Sequence, residues 1–194
     1  MGHITYLVQH YRGHENKHHL DYQFCKKYYK KISSMNLDEL SIYLSDSKNV
    51  GEMGHLTCFV LWFKAEVHHK AQADLSDYGR LHLLFHFLEF TWEPKKHAQY
   101  IHGLIIKISK NSIYSNMTTE NFEKSMSDSQ KVAEVGLLFC KNFRIQYKDL
   151  NEYQKISKAY DLIEALFKCL IDAGQIPMYT KIIRENFIKQ VKLA

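Results

Sequence analysis

Residues 149–174 read DLNEYQKISKAYDLIEALFKCLIDAG, and this stretch decides the fold class. Its apolar residues recur at steps of three and four, which is the spacing of one face of a helix with 3.6 residues per turn. Asp149 is suited to cap the first N–H groups. Gly174 is suited to end the helix in a left-handed conformation, and Pro177 bars its continuation. The stretch predicts one long amphipathic helix with the apolar stripe Leu150, Tyr153, Ile156, Tyr160, Ile163, Leu166, Phe167, Leu170 and Ile171.

The composition favours helices for the rest of the chain as well. With 194 residues, of which 45% are hydrophobic, the chain is long enough to bury a core and too hydrophobic for disorder. Eight glycines and two prolines leave little material for the tight turns of a sandwich or barrel. We expect an all-α protein in which residues 1–194 form a single compact bundle of about seven to nine amphipathic helices. The loop 111–119, rich in Ser, Asn and Thr, is the place for any internal boundary.

Start and stop signals divide the chain into separate helices. Asn36 with Glu39, and Ser127 with Gln130, have the spacing of a capping box, in which each side chain bonds to the backbone N–H of the other residue. Pro94 suits the first turn of a helix. The predicted segments run over residues 18–33, 36–44, 52–70, 77–92 after a cap at Ser76, 94–108, 120–126, from 127 through 143, and 177–192, with a break at 46–49.

A mild excess of positive charge permits several kinds of anionic partner. The formal net charge is +5, which favours association with acidic proteins, nucleic acid or anionic membranes without selecting one of them. One helix collects part of this charge around two tyrosines, Tyr28 and Tyr29, through Lys26, Lys27, Lys30 and Lys31. We interpret this cationic face as a binding site for an acidic helix or tail of another protein. The alternatives are a solvated surface and a site for nucleic acid, although no helix-turn-helix, RNP-type strand or zinc finger is encoded.

A second set of residues suggests a metal site. His82, His86 and Glu89 stand at positions i, i+4 and i+7 of the segment 77–92, and Glu66 with His69 gives an ExxH pair on the helix before it. Carboxylate-bridged di-iron bundles combine such pairs with two further glutamates that point inward. The alternative function is therefore a histidine-dependent metal-binding bundle. An ordinary surface helix shows the same stripe, and a local two-residue alternation makes a strand the competing interpretation of this segment, but its length favours a helix.

Residues 14–18 read HENKH and match the zinc-protease motif HExxH by letter. In zincins this motif lies inside an amphipathic helix, so that both imidazoles meet one zinc ion and the glutamate activates its water. Here Gly13 precedes the motif, and Asn16 and Lys17 occupy positions that are normally apolar. Glu15 and His18 form another ExxH pair, but no third ligand follows at a metzincin spacing. The stretch is interpreted as the solvated start of a helix.

The cysteines and the apolar runs indicate where the protein resides. The four cysteines lie far apart and form no CxxC pair, and each stands beside apolar residues, where a free thiol behaves as a small hydrophobe: Cys25, Cys58, Cys140 and Cys169. The first ten residues lack the basic and apolar regions of a secretory signal, and no apolar run is long enough for a membrane span. We expect a soluble, cytoplasmic protein in a reducing environment.

The chain carries no complete catalytic motif. GxSxG, the P-loop and GxGxxG are all absent, so we expect no enzymatic activity and no cofactor. The interpretation that remains is a non-enzymatic adaptor or protein-interaction subunit. The chain contains 13 tyrosines, 11 phenylalanines and 2 tryptophans, and aromatic residues of this kind dominate the cores of protein interfaces. We therefore expect some aromatic side chains to stay exposed as an anchor patch for a partner.

Two stretches rich in Lys, Ile, Tyr, Asn and His, residues 97–116 and 147–158, are similar in style to proteins of Dot/Icm-type (type IVB) secretion systems. The length of the chain also resembles that of the virulence-associated adaptor subunit that joins their coupling complex. This resemblance covers the whole chain in composition and contains no matching motif, so it assigns no functional position. It implies a cytoplasmic protein docked at the periphery of an inner-membrane coupling complex, where it helps to recruit effectors.

Overall fold

The computed structural model describes residues 26–67, 72–89, 94–149 and 153–191, and all regular structure in these ranges is helical. The helices share one buried apolar core, which confirms the predicted all-α class. No helix in the described ranges is both long enough and apolar enough to cross a membrane. The helices are α1 (residues 26–34), α2 (Leu37–Leu44), α3 (Ser47–Val67), α4 (Gln72–Glu89), α5 (Pro94–Ile108), α6 (Thr119–Ser125), α7 (Ser129–Tyr147), α8 (Tyr153–Ile171) and α9 (Ile176–Val191), with a 3-10 turn at Ala173–Gln175.

The start of α2 is fixed by the predicted capping box. Asn36 Oδ1 accepts a hydrogen bond from the Glu39 N–H at 2.9 Å, and Glu39 Oε2 accepts one from the Asn36 N–H at 2.9 Å. These bonds satisfy N–H groups that have no partner inside the helix. Pro94 opens α5 as predicted, and the predicted loop is found as turns over residues 109–118.

The start of α3 differs from its prediction. The predicted break after Leu44 is present but covers residues 45 and 46 instead of 46–49, because Asp46 Oδ1 accepts a hydrogen bond from the Lys48 N–H at 2.9 Å and the helix begins at Ser47 instead of residue 52. An aspartate just before a helix is a favourable cap, and this one acts two residues after Leu44 ends α2. Ser76 lies inside α4 and does not cap it.

The start of α7 is shifted by one residue. Asp128, and not Ser127, caps this helix, with its Oδ1 accepting from the Gln130 N–H at 2.9 Å. Ser127 is engaged with the preceding helix, since its hydroxyl donates to the Lys124 carbonyl at 2.7 Å. Ser127 therefore bonds to the end of α6, and Asp128 caps the start of α7.

The end of α8 is also built differently from the prediction. Gly174 lies within the 3-10 turn and does not take a left-handed conformation. The turn is closed by a hydrogen bond from the Gln175 N–H to the Asp172 carbonyl at 2.9 Å, and it leads directly into α9. Pro177 is the second residue of α9, where the first turn tolerates its missing N–H.

A stack of two phenyl rings lies at the centre of the bundle. Phe85 of α4 and Phe167 of α8 are parallel within 4°, with ring centroids 4.4 Å apart. Gly54 of α3 lies against the ring of Phe85, and Gly136 of α7 lies against the ring of Phe167. Because glycine has no side chain, the backbones of α3 and α7 can approach the rings this closely.

The first described helix is attached to the last one. Tyr29 of α1 stacks on Phe187 of α9, with ring centroids 5.7 Å apart, and Ile32 is fully buried. Ile32 and Tyr28 belong to the apolar stripe predicted for residues 18–33, of which 18–25 lie outside the described residues. Helix α1 thus has one side in the core and one side available for solvent.

The proposed boundary at 111–119 is bridged by direct contacts. His102 of α5 contacts Thr119 Oγ1 through Nδ1 at 3.2 Å and the Tyr114 carbonyl through Nε2 at 3.1 Å. Its ring stacks on Phe122 of α6, with centroids 4.9 Å apart. The helices on the two sides of the loop therefore pack together, while the single-domain expectation for residues 1–194 stays a prediction.

We expect Gly54→Ala and Gly136→Ala each to lower the free energy of unfolding by about 1–3 kcal/mol. The added Cβ would lie 2.2 Å from a ring carbon of Phe85 in the first variant and 2.4 Å from one of Phe167 in the second. The control is Gly103→Ala on α5, where the Cβ meets nothing within 4 Å. Urea denaturation should show this control to be more stable by about 0.5–1 kcal/mol. Equal effects of all three substitutions would contradict the packing.

Candidate functional site

The lysines that the sequence singles out lie together on the solvent side of α1. Ile32, on the opposite side, is fully buried, and Tyr28 and Tyr29 are half-buried. The helix therefore separates its apolar and cationic residues onto two sides. We call the four exposed residues the lysine face: Lys26, Lys27, Lys30 and Lys31.

Helices α1, α2 and α3 meet at the carboxylate of Glu52. Tyr28 and Tyr43 both donate to Glu52 Oε2, the latter at 3.1 Å, and the two phenol oxygens contact each other. Burial, together with the hydrogen bonds to Glu52 and Tyr43, raises the pKa of Tyr28 far above its ordinary value. The phenol thus stays protonated and remains a donor. We call Tyr28, Tyr43 and Glu52 the Glu52 junction.

Lys31 belongs to both the lysine face and the surroundings of the Glu52 junction. Its ammonium group lies 5.5 Å from the ring centroid of Tyr28 and 4.9 Å from that of Tyr43. Both distances are within the range of cation–π attraction. The charge of Lys31 is therefore attracted to two aromatic rings of its own protein. Lys27 and Lys30 make no such contact with the described residues.

Four imidazoles form a cluster between α3, α4 and α5. The ring centroid of His55 lies 3.9 Å from that of His82 and 5.5 Å from that of His86, which in turn lies 5.6 Å from that of His97. His86 and His97 are buried. The structure thus brings together two residues of the metal hypothesis, His82 and His86, and adds two that the hypothesis did not contain.

The other residues of the metal hypothesis fall outside the described part. Glu66 and Glu89 belong to α3 and α4, but their side chains are not described, and His69 and the stretch 14–18 lie in ranges that are not described. Among the described side chains, no group of three or more His, Cys, Asp or Glu residues is arranged to hold a metal ion. Metal binding by the histidines stays a prediction.

His55 and His97 were missed because sequence spacing reports neighbours on one helix and not the register between two helices. Gly54 lies against Phe85, so the next residue of each helix, His55 and His86, is brought close as well. A glycine inside a helical pattern was the available signal, since it marks a close approach between backbones and side chains.

A cluster of charged residues joins α7 and α8. Arg144 donates to Asp161 Oδ1 at 2.5 Å and to Glu164 Oε2 at 2.7 Å, and Lys168 lies 2.6 Å from Glu164 Oε1. Two cations face two carboxylates, so the cluster satisfies itself and presents little net charge to a partner. The lysine face consists of four exposed cations on one helix, and it is therefore the stronger candidate for an interaction site.

A small polar cavity lies between α4, α7 and α8. It is lined by Asp77, Asn142 and Tyr160 together with three apolar side chains, and its volume is about 10 Å³. The hydroxyl of Tyr160 is buried and has no hydrogen-bond partner among the described residues. This volume suits a single water molecule and no organic substrate. The cavity therefore offers no basis for catalysis on a small molecule.

The thiols of the described cysteines are structural. Cys58, Cys140 and Cys169 are free and buried, as the sequence predicts for cysteines beside apolar residues. Burial raises the pKa of Cys169 to about 12 and raises those of Cys58 and Cys140 well above the ordinary value. Because the thiolate is the reactive form, none of these three groups is activated as a nucleophile.

The expected aromatic anchor patch is not found in the described part of the chain. Tyr100 is the aromatic residue among the large hydrophobic side chains that are exposed there. The others are aliphatic: Leu37, Ile42, Ile106, Ile113, Ile145, Ile171, Met178 and Ile182. The described aromatic residues serve mainly in the core.

Comparisons with protein-family models, with curated proteins and with solved structures found no match to this chain.

We expect Glu164→Gln to reduce the pH dependence of stability. Burial alone raises the pKa of Glu164, but the hydrogen bonds from Lys168 and Arg144 outweigh it, so this pKa lies below the ordinary value of 4.5. A lowered folded-state pKa stabilises the protein above pH 4.5, and this contribution is lost as the pH falls further, through the folded-state pKa. In urea titrations the wild type should exceed the variant by about 0.5–1 kcal/mol at neutral pH. The difference should shrink below pH 4.5.

The control for this experiment is Glu185→Gln, which neutralises an exposed carboxylate on α9. A difference between wild type and the Glu164 variant that stays constant from neutral to acidic pH would contradict the role of the ion cluster.

Proposed function

We propose that the protein is a non-enzymatic helical adaptor whose lysine face binds an acidic helix or tail of a protein partner. The observation that carries this proposal is the exposure of all four lysines on one side of α1, opposite the fully buried Ile32. Four cations at helical spacing match carboxylates on a second helix, and complementary potentials steer such partners together.

The surroundings of the lysine face support a binding role. Helix α1 is held against the rest of the protein by the stack of Tyr29 on Phe187 and by the Glu52 junction. A fixed surface binds with less loss of conformational entropy than a mobile one. The self-balanced ion cluster of α7 and α8 and the water-sized cavity offer no comparable surface for a partner.

The resemblance to Dot/Icm-type systems suggests the complex in which this adaptor acts. We propose that its partner belongs to the coupling complex of a bacterial type IV secretion system, at the cytoplasmic side of the inner membrane. The adaptor would there help to recruit effectors, and the acidic partner would be a subunit of that complex or an effector.

We expect the variant in which all four lysines of the lysine face become glutamate to lose its partner. In affinity capture after chemical cross-linking in the cells that produce the protein, wild type should recover a stoichiometric partner and this variant should not. In surface plasmon resonance with that partner, association should slow about tenfold or more at low salt, and much less near 0.5 M salt, where screening is short-ranged. The fold should survive, because these positions lie away from the core.

A matched control carries the same change of charge elsewhere. Lysines 107, 110, 131 and 141 are exposed on α5, on the turn after it and on α7, and their replacement by glutamate should leave the partner bound. Recovery of wild type as a lone monomer would overturn the adaptor function. Equal low-salt kinetics of wild type and the lysine-face variant would overturn the site. Binding of a DNA or RNA duplex in place of a protein would instead support the nucleic-acid alternative.

The second candidate function is the histidine-dependent metal-binding bundle, which needs a ligand beyond the described side chains, since these form no metal site among themselves. His82 and His86, which the sequence pairs on one stripe, lie beside His55 and His97 in the structure. This function predicts about one equivalent of a first-row transition metal per chain in the purified protein, bound through imidazole nitrogens. Elemental analysis should then show its loss in the double variant His82→Ala/His86→Ala. Substoichiometric metal in the wild type eliminates this function.

A further inference from the structure

The Glu52 junction joins the three helices around the lysine face by polar contacts. Tyr28 comes from α1, Tyr43 from α2 and Glu52 from α3, and both phenols donate to the same carboxylate oxygen. Bonds to a charged acceptor are stronger than bonds between neutral groups. The orientation of α1 relative to α2 and α3 therefore depends on this carboxylate.

The described part of α1, residues 26–34, is held by its contacts with other helices, since tertiary packing supplies most of the stability of a helix in a protein. Tyr29 contacts α9 through the stack of its ring on Phe187, and Ile32 is fully buried. Tyr28 adds a contact to α2 and α3 through the Glu52 junction.

The lysines are not equivalent in this arrangement. The ammonium of Lys31 rests over the rings of Tyr28 and Tyr43, at 5.5 and 4.9 Å from their centroids. Lys27 and Lys30 are exposed on the same helix, one turn apart. A cation that already interacts with two rings contributes less to binding a new partner, because these cation–π interactions are weakened when the ammonium group turns toward the partner.

We infer that the Glu52 junction positions the lysine face, so that Lys27 and Lys30 are presented to the partner while Lys31 secures the helix. This inference rests on the proposed function for its role in binding, but the positioning of α1 can be tested without a partner. Tyr28, Tyr43 and Glu52 are positioning residues in this account, and the lysines make the contact.

The first test measures amide hydrogen exchange in α1 of the full-length protein. Tyr28→Phe removes a donor to Glu52 and keeps the ring, so the amides of residues 30–34 should exchange about tenfold faster or more. Glu52→Ala should behave in the same way. Glu52→Gln retains an acceptor oxygen but loses the charge, so its exchange should lie between those of wild type and Glu52→Ala. Tyr100→Phe removes an exposed phenol on α5 and should change nothing in α1.

The second test measures association with a defined probe, a synthetic glutamate-rich helical peptide, at low salt. Lys27→Gln and Lys30→Gln should each slow association about twofold to threefold, and Lys31→Gln should slow it less. Tyr28→Phe leaves the net charge unchanged, yet it should weaken binding by a similar factor because the lysines lose their fixed orientation. Glu52→Gln keeps an acceptor oxygen, so it should weaken binding less than Tyr28→Phe does.

The outcomes separate this inference from the proposed function. Unchanged exchange in Tyr28→Phe and Glu52→Ala overturns the positioning role, whatever the peptide does. Faster exchange with unchanged peptide binding shows that orientation does not matter for recognition, and it also overturns the inference. A peptide that binds neither wild type nor any variant counts against the proposed function, while the exchange result still decides the role of the junction.

Discussion

The stack of Phe85 on Phe167 constrains the rest of the bundle. The two parallel rings connect α4 to α8, and the glycines at positions 54 and 136 let α3 and α7 close on them. Four helices are thereby held at distances that a methyl group would disturb. Interiors are packed as densely as organic crystals, so a contact of this kind fixes register as well as distance. The register of α3 against α4 then brings His55 beside His82 and His86, although no sequence motif connects them.

The same use of aromatic rings explains why composition misleads about the surface. A second stack runs from Tyr78 of α4 to Tyr160 of α8 and on to Phe143 of α7, with centroid distances of 5.6 and 3.5 Å. Both stacks join α4 to α8, so aromatic rings set the distances between helices in the core. A high aromatic content therefore did not produce an exposed aromatic patch in the described part, where charge is the distinctive surface property.

Features that depend on one helix were predictable from the sequence, and features that depend on two helices were not. The capping box of Asn36 and Glu39, the start at Pro94 and the exposed lysine face follow from spacing along a single chain segment. The cap at Asp46 does not follow from the sequence pattern, because a run of four polar residues indicates a break, whereas this aspartate caps a helix that begins at the next residue. The Glu52 junction, the histidine cluster and the aromatic stacks join residues far apart in sequence. Their formation depends on helix register, which periodicity does not report.

The exposed charges of the lysine face, and the burial of most described aromatic residues in the core, determine what kind of complex the proposed adaptor forms. Exposed charges accelerate encounter and are screened by salt, whereas buried aromatic anchors slow dissociation. Near α1 in sequence, the exposed apolar side chains are aliphatic, Leu37 and Ile42 on α2. A partner that is steered by the lysines and covers little aromatic surface should bind fast and leave fast, because residence time depends on the contacts made after encounter. Rapid exchange suits an adaptor that passes its cargo onward. A permanent subunit needs a larger apolar surface than α1 presents.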